Sequence, residues 1–460
     1  SRRANNLLLT TTNICLTTFS KYFAQNMGEN IAYSTFQGLR PHFDALARVG
    51  YFKIVLKPLS STKRFLHDAY RLIVSVFILT YNIQHVIRVI QVRHSTNLIV
   101  DTLFILLTTL NSLGKQAAFN LRSRRIDEII NIINGPGFAA SKAYHVEVLK
   151  DNALVMSRLL TLYHVAIFTC GSMWTVFPIV NRVLGEEVQF TGYFPFDTTT
   201  TFASALAYMS ILITFQAYGN VTMDCTIVAF YAQAKIQIQM LRYNLEQLVE
   251  SEDPVKKGTL KRFYQDTSYK DEENYTELQE KLKKCVVHYN QIVRFAKEIE
   301  SIFGEAMVIQ FFVMAWVICM TMYKIVGLSI ISAEFVSMAM YLGCMLAQLF
   351  IYCYFGTQLK VESEFVNQSI YCSDWLCLSP RFRRQLLVMM QCCARPLAPR
   401  TAYVIPMSLD TYIAVMTKYF LTEGSFLSTI NYVNYMILFV TGAEIFVYSV
   451  YFLESLELVR

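Results

Sequence analysis

Six residues in three apolar runs, Gly171 and Trp174, Met209 and Ile213, Met338 and Tyr341, combine small, aromatic, aliphatic and thioether side chains at near-helical spacing. Such a set can line a cavity that holds a small oily molecule by dispersion and desolvation, with few polar contacts. Ordinary core packing is the competing reading for each residue. A second group lies in the tail, where Asn434, Ile437, Val440 and Thr441 recur along one side of an otherwise apolar stretch. There the polar groups could face water while Ile437 and Val440 narrow a hydrophobic constriction that gates by dewetting. One helix cannot enclose a pore, so this reading demands several copies about an axis; a helix packed through interhelix Asn bonds is the alternative.

Ionisable residues inside or beside the apolar runs, His164, Asp224, Glu305, Lys324, Glu334 and Glu444, are candidates for ion paths or interhelix bonds, or for interfacial positions at helix ends. The sequence carries no Gly-rich phosphate loop, no nucleophile elbow and no His pair on one helical face. It therefore offers no catalytic residue, no metal site and no cofactor. Among its 11 cysteines, Cys372 and Cys377 are five apart and Cys392 and Cys393 adjacent, with no His at ligand spacing. Cys170, Cys225, Cys319, Cys344 and Cys353 fall in apolar runs and read as packed thiols.

The elements that must position these residues are apolar runs about as long as a bilayer is thick. Residues 159–180, 302–326 and 335–355 approach or exceed the roughly 20 residues that a helix needs to cross hydrocarbon. With 54% hydrophobic and only 16% charged residues, the chain is too oily for an ordinary soluble domain. The net charge of +7 does not gather into a basic face, which argues against nucleic acid. Most of the 41 Lys and Arg lie in four segments, before residue 72, at 115–158, at 235–297 and at 360–400, and few fall in the alternate loops. The positive-inside rule then puts those segments and the N-terminus in the cytosol. Seven crossings would leave the C-terminus outside, the opposite of a G-protein-coupled receptor. No signal peptide is visible at residues 6–19.

The expected fold is an all-α membrane protein with seven transmembrane helices and cytoplasmic helical extensions forming an anchor domain. Residues 1–69 form a cytoplasmic segment in which Phe43, Leu46, Val49 and Phe52 make a short amphipathic helix beside the membrane. Residues 70–230 hold spans one to four, the second short and Thr-rich and placed inside the bundle, the third closed by Pro178. Residues 231–301 continue the fourth helix into the cytosol, pass a charged linker and return as an amphipathic helix at 275–300. Spans five and six occupy 302–356, a cytoplasmic anchor helix 357–400, and the pore-lining last helix and extracellular C-terminus 401–460. The sequons at Asn274 and Asn367 fall on the cytoplasmic side and should be bare.

In this order, certain short motifs resemble the insect odorant receptors. They are Tyr193-Phe194-Pro195-Phe196-Asp197, Asp224 in the fourth helix, Tyr352-Cys353-Tyr354-Phe355-Gly356, Ser373-Asp374-Trp375 followed by Leu378-Ser379-Pro380 and Arg384, and Pro406-Met407-Ser408-Leu409-Asp410-Thr411-Tyr412. The resemblance implies an odorant-gated, non-selective cation channel subunit in the plasma membrane of sensory neuron dendrites. It implies four subunits around one pore, as a homotetramer or a heterotetramer with the family's coreceptor, and a small hydrophobic odorant in the outer half of each bundle. Membrane lipid and permeant cations are the other partners. A gustatory receptor channel of the same architecture, or a G-protein-coupled chemoreceptor, is the alternative. The tail runs longer than the family pattern, so 403–420 and 426–452 both stay open as the pore-lining stretch; Thr422-Glu423-Gly424 would break the earlier one, which favours the later.

Overall fold

Long stretches of helix-forming residues without internal breakers give long helices, and here several outrun the membrane. The computed structural model describes residues 34–55, 60–94, 96–185, 190–196, 200–248, 271–326, 333–373, 375–401 and 405–422. Ten helices follow one another among them: α1 (Arg40–Arg48), α2 (Ser61–Gln91), α3 (Thr96–Leu121), α4 (Ser123–Ile133), α5 (Ala143–Val183), α6 (Phe202–Glu246), α7 (Asp271–Val326), α8 (Ala333–Cys372), α9 (Pro380–Cys393) and α10 (Leu409–Thr422). A two-stranded antiparallel ribbon, β1 (Arg400–Thr401) with β2 (Ile405–Pro406), leads into α10. Five helices, within α2, α5, α6, α7 and α8, are long and apolar enough to cross a membrane. The chain is an all-α, multi-pass membrane protein.

At about 1.5 Å per residue, helices of 41, 45, 56 and 40 residues reach about 60–84 Å, at least twice the roughly 30 Å of hydrocarbon. α5 to α8 must therefore project from the bilayer at one end. The amphipathic stretch 275–300 and the span after it, separate elements by composition, form the single helix α7 because no breaker divides them. α8 likewise runs on past residue 356 to Cys372, so the segment 357–400 holds the end of α8 and then α9 rather than one anchor helix. α5 passes through Pro178 and ends at Val183. A proline five residues from the helix end sacrifices one backbone bond, which lipid-buried neighbours tolerate.

The projecting ends are bound to one another by polar side chains. Arg242 on α6 places Nη1 2.6 Å from Glu362 Oε2 on α8 and donates through Nε to Ser369 Oγ at 3.0 Å, while Ser369 donates to Glu246 at 2.6 Å. Ser369 is thus buried and engaged within a helix, which removes the 367–369 sequon from the exposed loop a glycan requires. Arg122, at the entry to α4, donates to the carbonyls of Ser301 and Ile302 at 2.9 and 2.6 Å and to Glu305 at 2.6 Å, clamping α7 where its amphipathic and apolar halves meet.

α1 packs its apolar stripe into the bundle. Phe43, Leu46 and Phe52 are fully buried, and Phe43 meets Phe230 of α6 edge-on at 6.1 Å. The apolar stripe that suggested a membrane anchor is satisfied by the bundle itself, since a helical face buries equally well against protein or lipid. α2, by contrast, leaves Phe65, Leu72, Ile73, Val76, Phe77 and Ile83 exposed, a face suited to hydrocarbon.

Candidate ligand cavity and its polar floor

Four helices converge around a cavity of about 140 Å³. On each wall the lining residues recur at three- and four-residue intervals, as one face of a helix requires: Phe104 and Thr108 on α3, Tyr163, Ile167, Cys170, Gly171 and Trp174 on α5, Ile213, Ala217 and Val221 on α6, and Tyr341, Met345 and Gln348 on α8. The accessible wall is almost wholly apolar. Of its polar groups, Thr108 Oγ1 donates to the Phe104 carbonyl at 2.9 Å and lies 3.1 Å from Tyr341 OH, and Thr109 Oγ1 donates to the Leu106 carbonyl, whereas Tyr163 OH, Gln216 Oε1 and Asn220 Oδ1 are buried without a partner among the described residues. Phe104 and Tyr341 pack with ring centroids 4.5 Å apart. A void of this size is close to cavities of about 150 Å³ that admit a single benzene ring.

At Gly171, in the cavity wall, α5 packs directly against Thr214 of α6. A Cβ added there would stand 2.7 Å from Thr214 Oγ1, so a larger residue would push the helices apart. Of the six residues singled out by type and spacing, Gly171, Trp174, Ile213 and Tyr341 line the cavity. Met209 and Met338 do not. Both lie about one turn further along the same stripes, Met209 four residues before Ile213 and Met338 three before Tyr341. Met209 packs in a separate apolar cluster with Tyr81, Phe104 and Val317, close to Gly192 of the 190–196 loop, and Met338 packs against the main core. Asn434, Ile437, Val440 and Thr441 lie outside the described residues, as does Glu444.

Beneath the cavity sits a buried ionic cluster. Gln348, in the cavity floor, donates its amide to Asp224 Oδ2, and Asp224 Oδ1 accepts from Lys115 Nζ at 2.5 Å and from Tyr352 OH at 2.6 Å. Lys115 is 1% and Asp224 4% exposed. Two charges so deep persist only when paired and hydrogen-bonded, and a carboxylate taking three donors meets that condition. Sequence singled out Asp224 but left Lys115 among the cytoplasmic charges. It stands just past the second apolar run, and no local pattern distinguishes a lysine turned inward from one in water. Gln216 and Asn220, four residues apart on the face that carries Ile213, were also passed over; projecting α6 as a wheel would have found them. His164 donates to or accepts from Thr222 at 2.9 Å and stacks on Tyr218 at 3.9 Å, a packing role between α5 and α6.

From the floor, α8 leads to α10. Tyr352 lies one turn beyond Gln348, and Gly356 a further turn on, pressed against the backbone of Met407 so closely that no Cβ would fit. Leu409 N–H donates to Thr357 Oγ1 at 2.9 Å, and Tyr412 meets Phe350 edge-on at 5.5 Å.

A bundle of membrane-length helices around a ligand-sized apolar cavity, with no group of three or more potential metal ligands among the described residues, has the form of a membrane receptor. Residues 95–420, well over half of the chain, match the family model described as 7tm Odorant receptor. The chain belongs to the insect odorant receptor family. It is 22% identical to Odorant receptor 46a, isoform B, of Drosophila melanogaster over 322 residues, covering 69% of this chain and 78% of the relative. It is also 22% identical to Odorant receptor Or1 of Anopheles gambiae over 334 residues, 70% of this chain and 78% of the relative. Its fold is similar to that of the insect olfactory receptor OR5 from Machilis hrabei in complex with eugenol, with a TM-score of 0.70 at 16% identity over 84% of this chain and 96% of that one. The same receptor in a second structure gives 0.70 at 14% identity.

Proposed function

We propose that this chain is a subunit of an odorant-gated, weakly selective cation channel, and that the cavity between α3, α5, α6 and α8 is its odorant site. The observation that carries the proposal is the apolar void in a chain of this family, walled in part by α8, which two turns beyond Gln348 holds the entry of α10 through Gly356 and Thr357. The ligand is a volatile of about one ring's bulk, held by Gly171, Trp174, Ile213 and Tyr341 and their neighbours; the Machilis receptor, similar in fold, was solved with eugenol. Burying such a molecule is worth about 25 cal/mol per Å² of apolar surface, enough for binding without strong polar contacts. Gating follows if the odorant fits the dilated state better than the closed one, because only differential affinity moves the equilibrium. The cluster at Asp224 would carry that difference to α10 as a rigid buried link.

In this reading residues 1–69 are cytoplasmic, 70–230 and 302–356 hold the first six spans, and 231–301 and 357–400 project into the cytosol as an anchor domain. Residues 401–460 supply the last helix, with Asn434, Ile437, Val440 and Thr441 facing a pore shared by four subunits in the plasma membrane of the sensory dendrite. The chain would have no enzymatic role. Recording from excised patches of cells expressing the chain, alone and with the family's coreceptor, tests the proposal. Odorant-evoked cation current without added nucleotide is the expected result. Protein at the surface that gives no current under either condition, or a response that needs guanine nucleotide, would overturn it.

A further inference from the structure

Cys170 on α5 and Cys344 on α8 face one another in the cavity wall with their sulfurs 3.6 Å apart, neither of them bonded in a disulfide. Cys225 and Cys353, by contrast, are buried and do not line the cavity. We propose that the pair Cys170 and Cys344 is an oxidation site at which a peroxide joins α5 to α8 across the ligand cavity. Two sulfurs in van der Waals contact need close by only about 1.5 Å to reach the bonded distance of about 2.05 Å. Both side chains are part-exposed to a void large enough for hydrogen peroxide, a small neutral molecule that needs no polar path.

In the first step one thiol, as its thiolate, attacks a peroxide oxygen, breaking the O–O bond and giving a sulfenic acid and one water. The second thiol then attacks the sulfenic sulfur, the S–S bond forms and a second water leaves. Two thiols have lost two electrons, and one peroxide has become two waters. Contact between the sulfurs lets the second step outrun further oxidation of the first, as a resolving cysteine does elsewhere. The link would lie between Tyr341 and Gln348 on α8 and one turn from Trp174 on α5, so it would fix the spacing of two walls of the cavity. Any consequence for ligand response rests on the channel reading above; the thiol chemistry does not.

The test exposes the full chain in native membranes to hydrogen peroxide, caps remaining thiols with N-ethylmaleimide and maps the digest without reductant. A peptide pair joining Cys170 to Cys344, released by dithiothreitol, with labelling of both thiols reduced at least fivefold, is expected. Unchanged labelling, stable sulfinic acid without a link, or a link to another cysteine would overturn the proposal. Cys170→Ala and Cys344→Ala should each abolish the linked pair. In recordings, peroxide should raise the half-maximal odorant concentration at least threefold in the native chain, reversibly with dithiothreitol, and leave Cys170→Ala unmoved. A link without that shift would overturn the effect on the cavity; absence of current from untreated protein would count against the channel reading alone, and the peptide map would still decide the oxidation site.

Discussion

Lys115 and Asp224 form a buried pair in which removing either partner strands a charge. Both are almost wholly buried, and each has the other as its counter-charge, with Tyr352 and Gln348 filling further carboxylate lone pairs. Asp224→Asn leaves the ammonium without a counter-ion and should cost about 3–5 kcal/mol, read as a lower unfolding temperature in detergent. Lys115→Met together with Asp224→Asn should lose less than the sum of the single changes, by about 1–3 kcal/mol; simple additivity would show that the two side chains do not interact. Gly171 tests the cavity at the same scale. Gly171→Val forces α5 from Thr214 of α6 and adds bulk beside the cavity, so if that cavity holds the odorant the half-maximal odorant concentration should rise by about tenfold or more with surface expression retained.

At the scale of elements, the projecting halves of α6 and α7 are packed as a protein core. His288 on α7 lies 2.9 Å from Gln237 Oε1 on α6, and its ring meets Phe138 edge-on at 5.8 Å. Burial, with His145 nearby, lowers its pKa to about 4. A histidine depressed in the folded state is protonated first in the unfolded one, so stability is complete above the unfolded pKa of about 6.5 and is lost as pH falls towards 4. Unfolding temperature should therefore drop between pH 7 and pH 4, and His288→Gln should flatten that dependence; an unchanged slope would show that His288 takes no part. His42, buried in α1 and held near a pKa of about 3, adds to the same trend. Continuity of α7 was hidden from composition, because the switch from amphipathic to apolar at residue 301 looks like a boundary when only the solvent changes.

For the whole molecule, orientation and assembly decide function. A C-terminal epitope should be reached by antibody on intact cells and an N-terminal one only after permeabilisation; the reverse result would remove the inverted topology. Substituting Ile437→Ser should raise current in the absence of odorant severalfold if that side chain narrows a shared pore, since wetting a hydrophobic constriction opens it. Unaltered basal current would shift the constriction to another stretch of the tail.

The sequence alone determined the class of molecule. Apolar runs of bilayer length, charge confined to alternate loops and the order of the short motifs are properties of composition and spacing, which any helical arrangement must preserve. It also found four residues of the cavity, because helical periodicity fixes which side chains share a face. The height of the void on that face was not legible: Met209 and Met338 sit on the same stripes about a turn further along and do not line it. Nor were the partners of Asp224, the burial of α1 or the meeting of Cys170 with Cys344. Each depends on which helix lies opposite, and that is set by the packing of the whole bundle, where residues more than a hundred positions apart come within bonding distance and no local pattern records it.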